Sequence, residues 1–361
     1  MADAAHGIGG LKYDHAKRRR PQELNVFMAL IAIIAVFEIL GQTLPYMDGQ
    51  SLLFDTNDRF DSIFNEARLR IIILQVAIIG IIALGVTQVI ITGGIDLSSG
   101  SVVGATAMIA MSFAQVAEVN GFPNPKGVFL EQGWVDLPII VPIAVGLVCG
   151  VIAGGINGFL VAYTKIPPFI ATLGMMVSAR GVAQWWSSGQ PISFPTESYA
   201  SIGAGMNPVI WFTLLAVLFH LIMRYTVYGK HTYAIGSNED AARMSGINVQ
   251  RHLVLVYTIA GILAALGAIV LSSKNLTAQA GMGIMYELDA IAMAVIGGIS
   301  LQGGRGSIIG TVLGALIFGV IISGFTFLKL DAFYQEMVKG AIIVGAVVLD
   351  QWRQRRAAAR S

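Results

Sequence analysis

Apolar residues fill most of this 361-residue chain in stretches of about 20, separated by short polar segments. Such stretches match helices that cross a bilayer, because backbone groups in lipid must be hydrogen-bonded within their own segment. The pattern therefore predicts an all-α, polytopic membrane protein with about ten transmembrane helices. The predicted spans are 24–44, 69–91, 98–117, 137–163, 168–187, 208–226, 253–273, 287–300, 306–328 and 334–350.

These spans divide the chain into an N-terminal tail (1–23), a transmembrane domain (24–350) and a C-terminal tail (351–361). The segment 287–300 is short for a bilayer, so we expect it to be broken or to stop part-way. A basic run precedes the first span, but no small-residue cleavage site follows that span, which favours a retained helix over a signal peptide.

Composition supports the membrane assignment: 55% of residues are hydrophobic and 12% are charged, against roughly 25% charged in soluble domains. The net charge of +2 gives no reason to expect binding to nucleic acid. Cys149 is the single cysteine, and no histidine pairs with a carboxylate at metal-ligand spacing, so we expect no metal and no cofactor. Lys and Arg are about twice as frequent on the side of the two termini, which predicts that both termini are cytoplasmic.

The chain contains an internal repeat, in which TGGIDLSSGSVVGA near residue 92 is followed about 200 residues later by IGGISLQGGRGSIIGTVLGA. Gly93 and Gly94 in the first copy, and Gly297 and Gly298 in the second, weaken a helix and permit positive φ. Each copy therefore predicts a point where one helix ends and another begins. Paired broken segments are typical of translocation pathways at repeat interfaces.

Asp96 lies inside the first copy and has two interpretations. As a cap, its carboxylate would accept from free amides at the start of the next helix and would not need to be buried. As part of a translocation path, it would act on the transported solute or on a coupled proton.

The connection 228–253 carries a second candidate site. Ser237 and Asp240 fit a capping box that would start a helix of one or two turns, and a glycine supplies the stop. A helix this short is unstable alone, so we expect the membrane face of this protein or a partner to hold it. The alternative is an ordinary amphipathic connector. The candidate residues are Glu239, Asp240, Ala241, Ala242, Arg243 and Gly246.

The segment from Asp240 to Gly246 resembles the E-A-A-x-x-x-G coupling loop of ATP-binding-cassette importer permeases, with Asp in place of Glu. Residues 69–350 resemble the permease subunits of monosaccharide importers of the ribose, xylose, galactose, fructose and inositol type. The matching segments are Gly93-Gly-Ile-Asp-Leu-Ser98, Asn157-Gly-Phe-Leu, Ile166-Pro-Pro-Phe-Ile-Ala-Thr-Leu-Gly174, Tyr228-Gly229, Ala234-Ile-Gly236, Gly246-Ile247, Glu287-Leu-Asp-Ala-Ile-Ala292 and Gly297-Gly-Ile-Ser-Leu-Gln-Gly-Gly304.

This resemblance implies a homodimer in a bacterial inner membrane, with the translocation path between the subunits. It also implies a cytoplasmic ABC ATPase bound at the coupling loop and an extracytoplasmic sugar-binding protein that delivers the solute. The chain contains no G-x-x-x-x-G-K-[ST] motif, so ATP hydrolysis is expected on the partner and not in this subunit.

Five residues are candidates for the path, each with a structural alternative. Arg180 either hydrogen-bonds a sugar hydroxyl or snorkels to the interface. Asn157 and Gln184 suit a polyol, but such side chains also join helices. Trp185 either stacks on a sugar ring or belongs to an interfacial aromatic belt. Asp96 completes the set.

Two other functions compete with an importer permease. An ion-coupled secondary sugar carrier would use Asp96, Glu38 and Arg180 as a relay. A membrane enzyme would need a nucleophile with a nearby base, a metal cluster or a cofactor motif, and the sequence offers none of these.

Overall fold

The computed structural model describes residues 22–47, 49–56 and 63–358, so most of the predicted tail 1–23 lies outside the described residues. These ranges form thirteen α-helices. The helices are α1 (Gln22–Thr43), α2 (Glu66–Ile91), α3 (Ser99–Ser112), α4 (Ile140–Tyr163), α5 (Pro168–Trp186), α6 (Glu197–Ala200), α7 (Asn207–Tyr225), α8 (Val227–Ser237), α9 (Glu239–Met244), α10 (Val249–Asn275), α11 (Tyr286–Ile296), α12 (Ile308–Phe327) and α13 (Ala332–Ala358).

Six of these helices, α1, α2, α4, α7, α10 and α12, are long and apolar enough to cross a membrane. Their outward faces expose large apolar side chains, as on α7 at Leu214, Val217 and Leu221. Because lipid is the solvent that suits such a surface, the chain is a polytopic, mostly helical membrane protein, as predicted.

Helix boundaries differ from the predicted spans by several residues, most clearly in α3 and α13. The span predicted as 98–117 ends as helix at Ser112, where Gln115 instead donates to the carbonyls of Lys126 and Ser193 and so fixes a loop. α11 has only 11 residues, which agrees with the expectation of a short segment. α13 continues through Ala358, so most of the predicted C-terminal tail is helical.

Short strands fasten the loops at one end of the helices. β1 (Glu118–Val119) pairs antiparallel with β2 (Phe122–Pro123), and β3 (Ile192–Ser193) pairs antiparallel with β4 (Thr277–Ala278). The second pair ties the loop after α5 to the loop after α10.

α3 lies at the centre of the molecule, with every residue except Ile109 buried. The chain after β4 runs back along α3, close enough that a side chain at Gly100 would collide with the carbonyl of Gly283. The two short helices α3 and α11 therefore begin side by side inside the protein. Small residues permit this close packing where no hydrophobic effect drives helix association.

Candidate functional site

The first helix break joins α2 to α3. Gly93 adopts a φ of +84°, and the amide of Gly94 donates to the carbonyl of Val89, which is a left-handed glycine cap at the end of α2. Gly94 is needed for space, because a side chain there would collide with the hydroxyl of Tyr257.

The second break joins α11 to α12. Here Gly298 adopts a φ of +90°, and the amide of Ile299 donates to the carbonyl of Ala294, so the same cap closes α11. Gly297 is the glycine needed for space, because a side chain there would collide with the carbonyl of Gly310.

Asp96 lies in the first break and is only 3% exposed, so the expectation that it need not be buried is wrong. Its Oδ1 accepts from the amide of Ser98 at 2.8 Å and from Ser98 Oγ at 2.6 Å. Ser98 is the N-cap residue of α3, so the carboxylate stabilises the turn that starts the helix. Asn157 Nδ2 donates to Ser98 Oγ at 2.8 Å, which links this turn to α4.

Unsatisfied polar atoms surround α3. In the described part of the chain, six buried side-chain atoms lack a hydrogen-bond partner, and all but Arg68 Nη1 lie on α3 or against α3 and the turn before it. Such atoms in apolar surroundings cost free energy until a polar group meets them. The five atoms are Ser99 Oγ, Thr106 Oγ1, Asn157 Oδ1, Tyr257 Oη and Glu287 Oε2.

A mainly apolar cleft of about 340 Å³ opens between α3, α4 and α5. The buried hydroxyl of Thr106 belongs to its lining. The remaining lining residues are Val102, Ala105, Ile109, Cys149, Ile152, Ala153, Ile156, Met175, Ser178, Ala179 and Val182.

Within the described residues, none of the other three path candidates shares a hydrogen bond with Asp96 or Asn157. Arg180 donates through Nη1 to the carbonyls of Ala280 and Met282, so it holds the segment before α11 and does not snorkel. Gln184 and Trp185 are exposed on α5, Trp185 by 75%.

The connection predicted to couple to a partner contains two helices. α8 was not predicted. α9 begins at Glu239 with Asn238 as its N-cap, whose Oδ1 accepts from the amide of Ala241 at 2.9 Å; the predicted capping box of Ser237 and Asp240 is therefore wrong. Arg243 and Glu239 form an exposed ion pair at 2.8 Å.

The ends of α9 show how it is held. Gly246 follows α9 with a φ of +84°. Ala242 is buried beside Ile235 of α8 and Val249 of α10, whereas Asp240 and Ala241 are exposed. The rest of the protein therefore supports one side of α9 and leaves the other side accessible.

The C-terminal end of α8 contacts both helix breaks through backbone atoms. A side chain at Gly236 would collide with the carbonyl of Ile91 and lie 2.6 Å from the amide of Gly304. That amide donates to the same Ile91 carbonyl at 2.8 Å. Gly303 packs against Gly93 and Gly236. We name this contact of Ile91, Gly93, Gly236, Gly303 and Gly304 the glycine junction.

A side-chain bond also connects α8 to α2. Tyr228 donates to Gln88 Oε1 at 2.7 Å, and burial raises the pKa of Tyr228, which keeps its phenol protonated as a donor. Sequence reasoning did not find this bond or the glycine junction. The second glycine pair inside the second repeat copy, Gly303 and Gly304, was the available signal.

Comparisons with known proteins identify a family for this chain. Residues 68–347 match the family model described as "Branched-chain amino acid transport system / permease component". No solved structure matches the chain.

The curated relatives include a ribose import permease protein of Bacillus subtilis, 40% identical over 91% of this chain and 93% of the relative. Galactose/methyl galactoside import permease proteins of Haemophilus influenzae (35% identical; 91% of this chain, 96% of the relative) and Escherichia coli (36%; 93% and 96%) also match. The resemblance predicted from the motifs is confirmed, and the chain belongs to this family of transport-system permease components.

Proposed function

We propose that this chain is the membrane subunit of an ATP-driven importer and forms the path of a monosaccharide or polyol of the ribose, galactose, fructose or inositol class. The names of the relatives support a sugar as the solute. In this proposal the chain is a homodimer in a bacterial inner membrane, with both termini cytoplasmic. Ten segments cross or enter the bilayer, and α3 and α11 are half-length members of an internal repeat.

The observation that carries the proposal is the glycine junction. An ABC ATPase bound to the exposed side of α9 would move α8. The C-terminal end of α8 contacts the last turn of α2 and the connection between α11 and α12. Closure of the ATPase on ATP would therefore bias both breaks at once between outward and inward arrangements. A binding protein would deliver the sugar at the opposite end of the helices.

The path is proposed to run along α3. A neutral polyol needs donors and acceptors but no counter-charge, and the unsatisfied atoms of Ser99, Thr106, Asn157 and Tyr257 offer both. Asp96 holds this surface in place through Ser98. The exposed faces of α4 and α5, including Gln184 and Trp185, are then available to the second subunit.

The ion-coupled carrier is less well supported, because two of its three relay residues are engaged elsewhere. Glu38 accepts from Ser51 Oγ and from the amides of Leu52 and Leu53, which fixes the loop after α1. Arg180 holds backbone carbonyls.

Uptake by proteoliposomes tests the proposal. We expect accumulation of labelled ribose or galactose only when the partner ATPase, the binding protein and ATP are all present, and no effect of an uncoupler. Accumulation by this chain alone, abolished by an uncoupler, would establish the carrier instead.

A further inference from the structure

A second cleft, of about 620 Å³, lies at the end of the helices near α8 and is separate from the path along α3. It is formed by the last turn of α7, one side of α8 and the start of α12. Its lining residues are His220, Met223, Arg224, Lys230, Tyr233, Ala234, Ser237, Gly306, Ser307 and Ile308.

The charge of this cleft is mainly positive. Arg224 and Lys230 are exposed, and within the described ranges neither forms an ion pair with a carboxylate. His220 adds a third nitrogen group. The acid at the margin is Glu23, whose Oε1 accepts from Ser307 Oγ at 2.8 Å. Beside this carboxylate, Arg224 and Lys230 face the cleft without an ion-pair partner among the described residues.

An apolar strip leads from the cleft along α7. Leu214, Val217 and Leu221 lie above Arg224 at helical spacing, and each is about half exposed. Ile309, in the first turn of α12, is also exposed. Both helices are long and apolar enough to cross a membrane, so this strip lies at the depth of acyl chains and the cations lie at the depth of headgroups.

We propose that this cleft binds the phosphate headgroup of an anionic phospholipid, with its acyl chains along the apolar strip of α7. Basic pockets between helices at a membrane surface suit such headgroups. A free inorganic anion would use the cations but not the strip, so the combination points to the lipid. The site does not depend on the transport assignment.

Native mass spectrometry of the full chain in detergent tests the site, with dioleoylphosphatidylglycerol and dioleoylphosphatidylcholine as probes. We expect retained phosphatidylglycerol and little phosphatidylcholine. The double variant Arg224→Gln/Lys230→Gln removes both cations and should bind phosphatidylglycerol about 25-fold more weakly, at about fivefold per cation.

The matched control is Lys165→Gln/Arg251→Gln, which removes two exposed cations at the same end of the helices but outside the cleft. It should bind phosphatidylglycerol like the unmodified chain. Thermal unfolding of both variants in detergent identifies a folding defect, and a defective Gln pair would be replaced by the single variants Arg224→Gln and Lys230→Gln, each of which should bind phosphatidylglycerol about fivefold more weakly.

Three results would overturn the proposal. Equal retention of the two lipids would remove the role of charge. Displacement of phosphatidylglycerol by millimolar inorganic phosphate, with phosphate itself retained, would make the cleft a free-anion site. Loss of the co-purified ATPase from the double variant, with lipid retention unchanged, would make it a protein interface.

Discussion

The two helix breaks share a Gly-Gly-Ile pattern and a cap but use their glycines in opposite order. In the first, Gly93 supplies the positive φ and Gly94 supplies space for Tyr257. In the second, Gly297 supplies space for Gly310 and Gly298 supplies the positive φ. The pattern therefore specifies that a helix ends, whereas neighbouring helices decide at which glycine it ends.

The breaks also differ in the segments that connect their glycines to the next helix. The first connection, 92–98, is short and carries the buried carboxylate of Asp96. The second, 297–307, is longer, has Ser300 at the matching position and extends as Gly303 and Gly304 to the glycine junction. The first break thus organises the polar surface of α3, while the second brings both breaks into contact with α8.

The largest effect is expected where the breaks meet. Gly236→Ala places a methyl group against the Ile91 carbonyl, and overpacking of this kind costs about 2 kcal/mol, equivalent to roughly 30-fold in an equilibrium. We expect ATP-dependent sugar uptake to fall by at least tenfold. Gly155→Ala in α4, where a methyl group has space, is the control. Equal uptake by the two variants would show that the glycine junction has no role in transport.

The next effect distinguishes the two breaks. Asp96→Ala leaves the amide and hydroxyl of buried Ser98 without their acceptor, at about 1–3 kcal/mol. Ser300→Ala removes no charged acceptor; among its bonds is the one accepted from the amide of Gln302 at 3.3 Å, and bonds between neutral groups are worth about 0.5–1.5 kcal/mol each. Thermal unfolding and uptake measured together should rank the first variant as the more damaging. The reverse order would contradict the division of roles.

A smaller effect tests whether the unsatisfied atoms of the first break meet the solute. Tyr257→Phe removes a buried hydroxyl that has no partner, so thermal stability should not fall, whereas uptake should fall about fivefold. Tyr199→Phe is the opposite control, because Tyr199 Oη bonds Ser272 Oγ at 2.8 Å. It should lose about 1 kcal/mol of stability and keep its uptake. Unchanged uptake in Tyr257→Phe would show that the solute does not pass the hydroxyl of Tyr257.

The smallest effect is expected from weakening α9, the helix through which the proposed ATPase would move α8 and the two breaks. Asn238→Ala removes the N-cap of α9, worth about 1 kcal/mol, and should reduce the sugar transported per ATP hydrolysed by roughly two- to threefold. Asn248→Ala removes the same kind of cap from the long helix α10 and should leave that ratio unchanged. A normal ratio of sugar transported to ATP hydrolysed in Asn238→Ala would show that α9 does not couple the ATPase to transport.

Much of the architecture followed from the sequence, because long apolar runs and paired glycines are local signals. α8 was missed since Val227–Ser237 contains two glycines and several β-branched residues, which favour other conformations. It forms a helix because Gly229 and Gly236 fit against the backbone of Met223 and Ile91. Tertiary contacts overrode local preference.

The candidate site was predicted only in part, because the sequence identifies single residues but not the tertiary contacts between them. Asp96 and Asn157 were both named, but their shared contact through Ser98 required the fold. Arg180 bonds backbone carbonyls, and Glu38 bonds the amides of Leu52 and Leu53 as well as the hydroxyl of Ser51; these loop partners required the fold.

The glycine junction is built from main-chain atoms, so it contains no side chain that selects for one solute. If the path runs along α3 as proposed, substitutions in its lining would change the preferred solute and leave this main-chain contact unaltered. We therefore expect that a change of transported solute requires substitutions along α3 and none in the glycine junction.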